Sequence, residues 1–192
     1  IELHLTMAYE AKVNFQEVFQ QVTMWDAIIF NFLKDKGIVI PQKEEHEGAR
    51  GYEGAYVKDP IVGFHDWIVS YDLNSLYPHL IMQYNISPET LFAEERIETS
   101  VDDLLEEKTD LEILQKSNLT VCPSGVLFNK DKRGFLPTLM QRMYDDRTTY
   151  KKEMLKTKQE LIDGTGDEQQ LKNKISQLDN KQMAAKILLN SA

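Results

Sequence analysis

The segment WIVSYDLNSLYPHLIMQYN, residues 67–85, changes near its centre from a strand-like pattern to a helix-like one. Residues 67–73 are mostly β-branched, aromatic or otherwise apolar, which predicts a buried strand. Residues 76–84 place apolar side chains at helical spacing, and Pro78 is tolerated in a first helical turn because the N–H that it lacks would have no partner there. Asp72 is therefore predicted to lie at the switch from strand to helix.

The predicted start of this helix is a candidate site for a metal ion and a phosphate together. The backbone N–H groups of residues 74–77 would open the helix without intrahelical acceptors, and the positive end of the helix dipole favours an anion. The Asp72 carboxylate beside them is a hard oxygen ligand for a cation. The alternative is an ordinary capped turn, in which the aspartate serves only the backbone of the helix start.

The residues DLNSLYP at 72–78 resemble motif A of the family B DNA polymerases, which is usually written DxxSLYP. The following NISPET at 85–90 is similar to the phage T4-type branch of that family. His79 is a departure, because the family often has serine after the proline, and the resemblance gives this residue no role. The resemblance implies an α+β fold: an incomplete polymerase palm, a helical-hairpin fingers element and a helical segment from the exonuclease-to-palm junction.

A helix is predicted near the N-terminus of the chain. Residues 13–33 carry apolar side chains at three- and four-residue steps, and Gly37 and Pro41 mark its end. Within it, residues 23–33 are similar to the T4-type sequence that follows the last exonuclease motif. The exonuclease carboxylates are therefore expected upstream of this chain.

The linker that follows contains a second stretch similar to the family. Tyr52-Glu53-Gly54-Ala55 resembles the YxGG/A motif, which lies between the exonuclease and polymerase domains. The resemblance implies that Tyr52, Gly54 and Ala55 contact the template strand, where small residues let the backbone approach a phosphate. An ordinary interdomain turn is the alternative.

The C-terminal part of the sequence predicts an antiparallel helical hairpin. Residues 139–162 and 168–192 both have helical patterns, and Gly164-Thr165-Gly166 separates them. Gly134 and Pro137 mark the start of the first helix. Two long periodic helices joined by a short turn pack against each other.

Each predicted helix of this hairpin carries polar residues four positions apart, which share a face. Arg147 and Lys151 match the basic pair of the family's fingers, and KILLNS, residues 186–191, matches the KxxxNS beginning of motif B with Lys186 and Asn190. Without that resemblance, a solvated helix face is the better interpretation of any one such pair.

The resemblance implies nucleotidyl transfer with two Mg²⁺ ions, which use oxygen ligands. Asp72 would be the catalytic metal ligand, together with the main-chain carbonyl of Leu73. Ser75 and the N–H groups of Leu76 and Tyr77 would hold the β- and γ-phosphates of a deoxynucleoside triphosphate.

The resemblance also gives roles in nucleotide binding to side chains outside the phosphate cradle. Arg147, Lys151 and Lys186 would clamp the triphosphate, and Asn190 would lie near the nascent base pair. Tyr77 would lie under the sugar and exclude a 2′-hydroxyl. A packed core tyrosine is the alternative for Tyr77.

Composition limits the class of protein. The 192 residues carry a net charge of −9. The single cysteine, Cys122, excludes an internal disulfide framework and fits a reducing cytoplasm. This would be the host cell's cytoplasm if the gene belongs to a phage. No apolar run is long enough for a membrane span. The negative charge is uneven: residues 94–112 hold nine acids, which favours a solvated face, whereas residues 130–158 hold nine bases and four acids. A turn at residues 123–125 predicts a β-hairpin between the two segments.

The resemblance divides the chain into three parts. Residues 1–54 would be the end of the exonuclease region and its linker, 55–136 palm, and 137–192 fingers. The sequence stops inside motif B and lacks the aspartates of motif C, so it is expected to be a polymerase fragment that is inactive alone. Its expected partners are primer-template DNA, deoxynucleoside triphosphates, the remainder of the polymerase and a sliding clamp. The alternatives are a noncatalytic nucleic-acid-binding module and a split-polymerase subunit.

Overall fold

The computed structural model describes residues 1–40, 42, 57–110 and 112–191. The fold is α+β, as the resemblance implied, with seven α-helices and one small sheet among the described residues. The α-helices are α1 Glu2–Ala11, α2 Gln21–Asp35, α3 Leu76–Tyr84, α4 Val101–Leu105, α5 Glu112–Lys116, α6 Phe135–Ile162 and α7 Glu168–Asn190; the strands are β1 Leu91–Arg96, β2 Leu119–Val121 and β3 Val126–Asn129; and two 3₁₀ turns span Phe15–Phe19 and Pro88–Thr90.

The N-terminal region contains two helical elements where one helix was predicted for residues 13–33. Helix α1 precedes the predicted range, and a 3₁₀ turn and α2 divide it at Gln20. Asn14 and Glu17 form a capping box at the 3₁₀ turn, with the Asn14 N–H donating to Glu17 Oε2 at 2.8 Å. This local cap starts a separate turn, so the prediction of one continuous helix was wrong.

The sheet is antiparallel, with the order β1-β3-β2. The predicted β-hairpin is confirmed, because β2 and β3 pair around the turn that contains Gly125. Gly125 has a φ of 76°, and a Cβ there would lie 2.0 Å from the carbonyl oxygen of Ile97, so only glycine fits. The segment between β1 and β2 keeps acidic side chains exposed, as predicted; Asp102, Glu106 and Glu107 are examples.

The buried strand predicted for residues 67–73 is not observed. This segment has no strand pairing among the described residues, and its apolar side chains are exposed, with Ile68 at 76% and Leu73 at 70%. A strand needs a neighbour for its backbone hydrogen bonds and cover for its apolar side chains. The described part of the chain gives residues 67–73 neither of these.

Helices α6 and α7 form the predicted antiparallel hairpin. Gly134 is the N-cap of α6, and at the start of α7 the Asp167 carboxylate accepts from the Gln170 N–H at 2.7 Å. The ammonium of Lys181 on α7 lies 5.4 Å from the ring centroid of Tyr150 on α6, at similar distances from the turn. This pair places the two helices side by side in opposite directions.

The core lies between the N-terminal helices and the hairpin. One cluster joins α1 and α2 to α7 through Met7, Met24 and Leu188, which are all buried. A second buried cluster consists of Trp25, Leu139, Met140 and Leu189. The indole Nε1 of Trp25 also donates to Ser191 Oγ at 3.1 Å. None of the helices in the described ranges combines the length and apolar character of a membrane span.

Candidate functional site

The N-terminal turn of α3 offers unpaired backbone donors. Ser75 is the N-cap residue, with a left-handed backbone (φ 52°, ψ 48°), and its side chain makes no cap hydrogen bond. The N–H groups of Leu76 and Tyr77 have no acceptor among the described residues, and Pro78 has no N–H to satisfy. The Ser75 hydroxyl itself donates to Asn74 Oδ1 at 3.2 Å. Two unpaired main-chain donors thus lie at the positive end of a helix, an arrangement suited to an anion.

Arg147 brings α6 to this turn. Its guanidinium Nη1 donates to Ser75 Oγ at 3.3 Å, and its Nε is buried without a partner among the described residues. Arg147 therefore differs from a residue of a solvated helix face, since this side chain is partly buried against a segment distant in sequence. A cation beside the unpaired N–H groups adds to the positive potential of the turn.

His79, to which sequence analysis gave no role, contacts both sides of the same junction. Its Nδ1 lies 2.8 Å from the carbonyl oxygen of Ser75. Its ring packs edge-on against Tyr144 of α6, with centroids 4.9 Å apart and an interplanar angle of 82°. The histidine therefore links the backbone of the α3 turn to the helix that carries Arg147.

Asn85 fixes the segment that leads into α6. It is buried in a left-handed conformation with a φ of 57° at the end of α3. Its Nδ2 donates to the carbonyl oxygens of Asn129, at 2.6 Å, and Lys132, at 2.8 Å. Its Oδ1 accepts from the Gly134 N–H at 2.9 Å. One side chain thus holds β3, its following loop and the N-cap of α6.

Ser87 and Glu89 cap the start of α6. The Glu89 carboxylate accepts from the Phe135 N–H at 2.5 Å, and Ser87 Oγ accepts from the Leu136 N–H at 3.4 Å. A negative charge at a helix N-terminus is favourable. A Cβ at Gly134 would lie 2.5 Å from Ser87 Cβ, so the close approach of the two segments requires glycine.

The structure places the predicted metal and sugar residues at the surface. Asp72 is exposed, and so is Leu73. Tyr77 is 66% exposed, which rules out the packed core tyrosine within the described structure. No cluster of three or more His, Cys, Asp or Glu side chains that could hold a metal ion occurs among the described residues. Asp72 is thus not part of such a cluster in the described ranges.

The remaining candidates are divided between the hairpin and the linker. Lys151, Lys186 and Asn190 are exposed, and none of them makes a side-chain hydrogen bond or salt bridge in the part of the chain that the structure describes. Among the described residues, the hydrogen bond from Arg147 to Ser75 therefore joins two of the predicted site residues. The predicted template-binding residues Tyr52, Gly54 and Ala55 lie outside the described residues.

Burial changes the acidity of a tyrosine between the basic residues of α6. The pKa of Tyr150 is raised, first by burial and then by the nearby carboxylates of Glu10, Asp146 and Glu153. Tyr150 is therefore a neutral phenol at physiological pH, and it adds no charge to this face of the hairpin.

Four residues around the site have structural roles that were not predicted from the sequence: His79, Asn85, Ser87 and Glu89. A signal existed for three of them, since NISPET stood out as a stretch similar to one branch of a family. Their partners could not be predicted from residue pattern, because the bonds from Asn85, Ser87 and Glu89 to residues 134–136 cross 46 to 49 positions of the chain.

Comparison with known proteins relates the chain to one family. A family model described as DNA polymerase family B matches residues 15–192. The chain is 38% identical to the DNA-directed DNA polymerase of Escherichia phage RB69 over 158 residues, 81% of this chain and 17% of that protein. It is 36% identical to the DNA-directed DNA polymerase of Enterobacteria phage T4 over 154 residues, 80% of this chain and 17% of the relative. The chain thus spans about a sixth of the length of these relatives.

Solved structures show a similar fold. The family B DNA polymerase from the hyperthermophilic archaeon Pyrobaculum calidifontis superposes with a TM-score of 0.66 over 99% of this chain and 22% of that one. The sequence identity is 21%, so this likeness concerns the fold alone.

Proposed function

This chain belongs to the family B DNA polymerases, and from that premise we propose that it is the segment of a DNA-directed DNA polymerase that binds the incoming deoxynucleoside triphosphate. The reaction would be template-directed addition of a deoxynucleotide to a primer 3′-hydroxyl. Because the chain spans 17% of its phage relatives, the activity, the DNA partner and the nucleotide substrate are proposals for the larger polymerase.

The observation that carries the proposal is the contact between Arg147 and Ser75. It joins the motif A turn, with its unpaired Leu76 and Tyr77 N–H groups, to a helix that also carries Lys151. A triphosphate is a polyanion, and backbone N–H groups and a guanidinium are the donors that bind phosphate oxygens most effectively. We propose that the β- and γ-phosphates bind between the α3 turn and α6.

Charge on the leaving pyrophosphate would be stabilised by the cations of the hairpin. Arg147 supplies a planar guanidinium beside Ser75, and Lys151 and Lys186 supply exposed ammonium groups. Asn190, at the end of α7, would lie near the nascent base pair. Tyr77 follows Ser75 and Leu76 directly, and its exposed ring would exclude a 2′-hydroxyl from the sugar site.

The oxygen donors near this turn fit Mg²⁺ in kind. The Asp72 carboxylate and the Leu73 main-chain carbonyl are hard ligands, and both residues are accessible. In this family's chemistry, two such cations supply activation of the attacking hydroxyl and neutralisation of the triphosphate. A second carboxylate ligand would come from other parts of the polymerase palm, because the described residues hold no carboxylate cluster.

The proposal assigns a part of the polymerase to each region. Residues 1–54 would be the end of the exonuclease region with its linker, 55–136 a portion of the palm, and 137–192 the fingers. The small sheet lies in the second region, and nearly all of the α6–α7 hairpin lies in the third, which supports this division. Tyr52, Gly54 and Ala55 would contact the template strand.

Primer extension by the complete polymerase tests the proposed function. We expect extension with Mg²⁺ and deoxynucleoside triphosphates, and a loss of at least about a thousandfold in rate for Asp72→Ala, since a metal ligand supplies several kcal/mol to the transition state. Asp66→Ala removes another exposed carboxylate six residues earlier and should leave the rate unchanged. Equal rates in all three proteins would refute the assignment of Asp72.

A further inference from the structure

His79 holds the Ser75 carbonyl from the side chain as well as the backbone. The Ser75 oxygen accepts from the His79 N–H at 3.1 Å, the first helical bond of α3, and lies 2.8 Å from His79 Nδ1. A carbonyl oxygen only accepts, so Nδ1 is the protonated ring nitrogen. The side chain thereby adds a second bond to the peptide that orients Ser75.

Ser75 is in a conformation that needs support. Its φ of 52° lies in the left-handed region, which is unfavourable for a residue with a Cβ. In this conformation its Oγ meets Arg147 Nη1 at 3.3 Å. Any relaxation of the Ser75 backbone would move the hydroxyl away from the Arg147 guanidinium, because Cβ alone joins the hydroxyl to that backbone.

Tyr144 orients the histidine. The T-shaped contact between the rings of His79 and Tyr144 favours one plane for the imidazole. Tyr144 lies on α6, three residues before Arg147, so the element that orients His79 also carries the partner of the Ser75 hydroxyl. Tyr144 of α6 accordingly orients the His79 ring, and His79 in turn holds the Ser75 carbonyl at the start of α3.

We propose that His79 is a positioning residue for nucleotide binding: it keeps Ser75 in the left-handed conformation that places the Ser75 hydroxyl against Arg147 and leaves the Leu76 and Tyr77 N–H groups free for phosphate. The inference rests on the proposed function, because it assumes that this turn binds the triphosphate. It deepens that function by giving a role to His79, the residue that follows Pro78 in the α3 turn.

Two substitutions separate the hydrogen bond from the ring contact. His79→Asn keeps a side-chain N–H at the δ position and loses the ring, whereas His79→Phe keeps a ring against Tyr144 and loses the donor. The complete polymerase is studied by rapid-quench single-nucleotide incorporation, which gives the maximal rate and the Kd for the nucleotide. We expect His79→Phe to raise this Kd by about two- to tenfold, the value of one hydrogen bond, with the maximal rate changed by less than about twofold. The Kd for His79→Asn should stay within about twofold of the parent.

A second measurement tests whether His79 acts through Ser75. In a Ser75→Gly background the hydroxyl is absent and a left-handed backbone costs little, so His79→Phe should cause no further rise in the nucleotide Kd. An undiminished further rise would overturn the positioning role.

The other outcomes are also decisive. An unchanged nucleotide Kd in His79→Phe would overturn the proposal. So would equal rises of this Kd in His79→Phe and His79→Asn, or a lower maximal rate with an unchanged Kd, because these two results indicate a packing role. These results require an active parent polymerase. A parent enzyme that extends no primer would overturn the proposed function itself, and the positioning role with it.

Discussion

The guanidinium of Arg147 donates a hydrogen bond to the hydroxyl of Ser75 across 72 residues of sequence, at 3.3 Å between Nη1 and Oγ. The same side chain buries its Nε without a partner among the described residues. A buried donor without an acceptor is costly, so such a group needs a partner such as a water molecule, an ion or a ligand. The pair therefore marks the junction of α3 and α6 as the centre of the candidate site.

The first prediction concerns this arginine. Arg147→Ala and Arg147→Lys should both raise the Kd for the incoming nucleotide, by about tenfold or more, because a lysine cannot reproduce the planar donor pattern of a guanidinium. The measurement is single-nucleotide incorporation at a series of nucleotide concentrations. Arg142→Ala is the matched control, since Arg142 is an exposed arginine on the same helix whose change should leave this Kd unaltered.

A role in DNA binding gives a different result for the basic residues of the hairpin. Alanine at Arg147, Lys151 or Lys186 should leave primer-template affinity and its salt dependence nearly intact. Loss of a DNA phosphate contact would instead lower the salt slope of duplex affinity by about one for each charge. A lower slope with unaltered nucleotide use would contradict the assignment of these residues to the triphosphate.

The second prediction concerns discrimination between sugars. Tyr77→Ala should increase incorporation of ribonucleotides relative to deoxynucleotides by about tenfold to a hundredfold, because a steric clash with one hydroxyl is worth a few kcal/mol. Competition between the two kinds of nucleotide on one primer-template measures the ratio. Tyr71→Ala removes another exposed tyrosine and should leave the ratio at its parent value. The same ratio in both variants would exclude Tyr77 as the sugar gate.

The sequence was a reliable guide where the signal was local. The start of α3 was predicted within residues 74–77 and lies at Leu76, and the turn at Gly164-Thr165-Gly166 separates α6 from α7 as expected. These features depend on capping, on glycine and on apolar spacing within one turn of chain. The strand predicted for residues 67–73 failed because a strand is completed by its neighbours, and residue type alone cannot provide them.

The site was predictable in its residue types and unpredictable in its contacts. The family resemblance singled out both Ser75 and Arg147, and the structure brings them together. Asn85 is a different case, since its left-handed backbone and its bonds to Lys132 and Gly134 depend on how α3 meets α6. Such long-range polar contacts leave no periodic pattern in a sequence.

The third prediction concerns the stability of this junction. Asn85→Ala should lower the free energy of unfolding by about 2–4 kcal/mol, because it leaves buried backbone groups without partners and puts alanine at positive φ. Urea denaturation followed by circular dichroism measures the change. Asn85→Gly removes the same hydrogen bonds without the backbone strain, so it should be less destabilising than alanine by about 1 kcal/mol.

Substitutions at the exposed Asn74 and at Glu89, which caps α6, give the matched changes in the free energy of unfolding. Asn74→Ala should change the free energy of unfolding by less than about 0.5 kcal/mol, since Asn74 is at the surface. Glu89→Ala should cost about 1 kcal/mol through the loss of its bond to the Phe135 N–H, and Glu89→Gln less, because the amide oxygen still accepts. Equal stability of Asn85→Ala and Asn74→Ala would show that the Asn85 hydrogen bonds do not hold the junction.

The last prediction concerns a polypeptide of residues 1–192 tested by itself. It should add no nucleotide to a primer with Mg²⁺, because Asp72 belongs to no cluster of three or more potential metal ligands among the described residues and Mg²⁺ binds weakly when few carboxylates are offered. Without fixed metal ions the primer hydroxyl cannot be placed for in-line attack. A complementing fragment with the rest of the palm should restore extension where the two pieces associate, and Asp72→Ala should abolish what is restored. Extension by the polypeptide alone that survives Asp72→Ala would show that the metal-site argument is wrong.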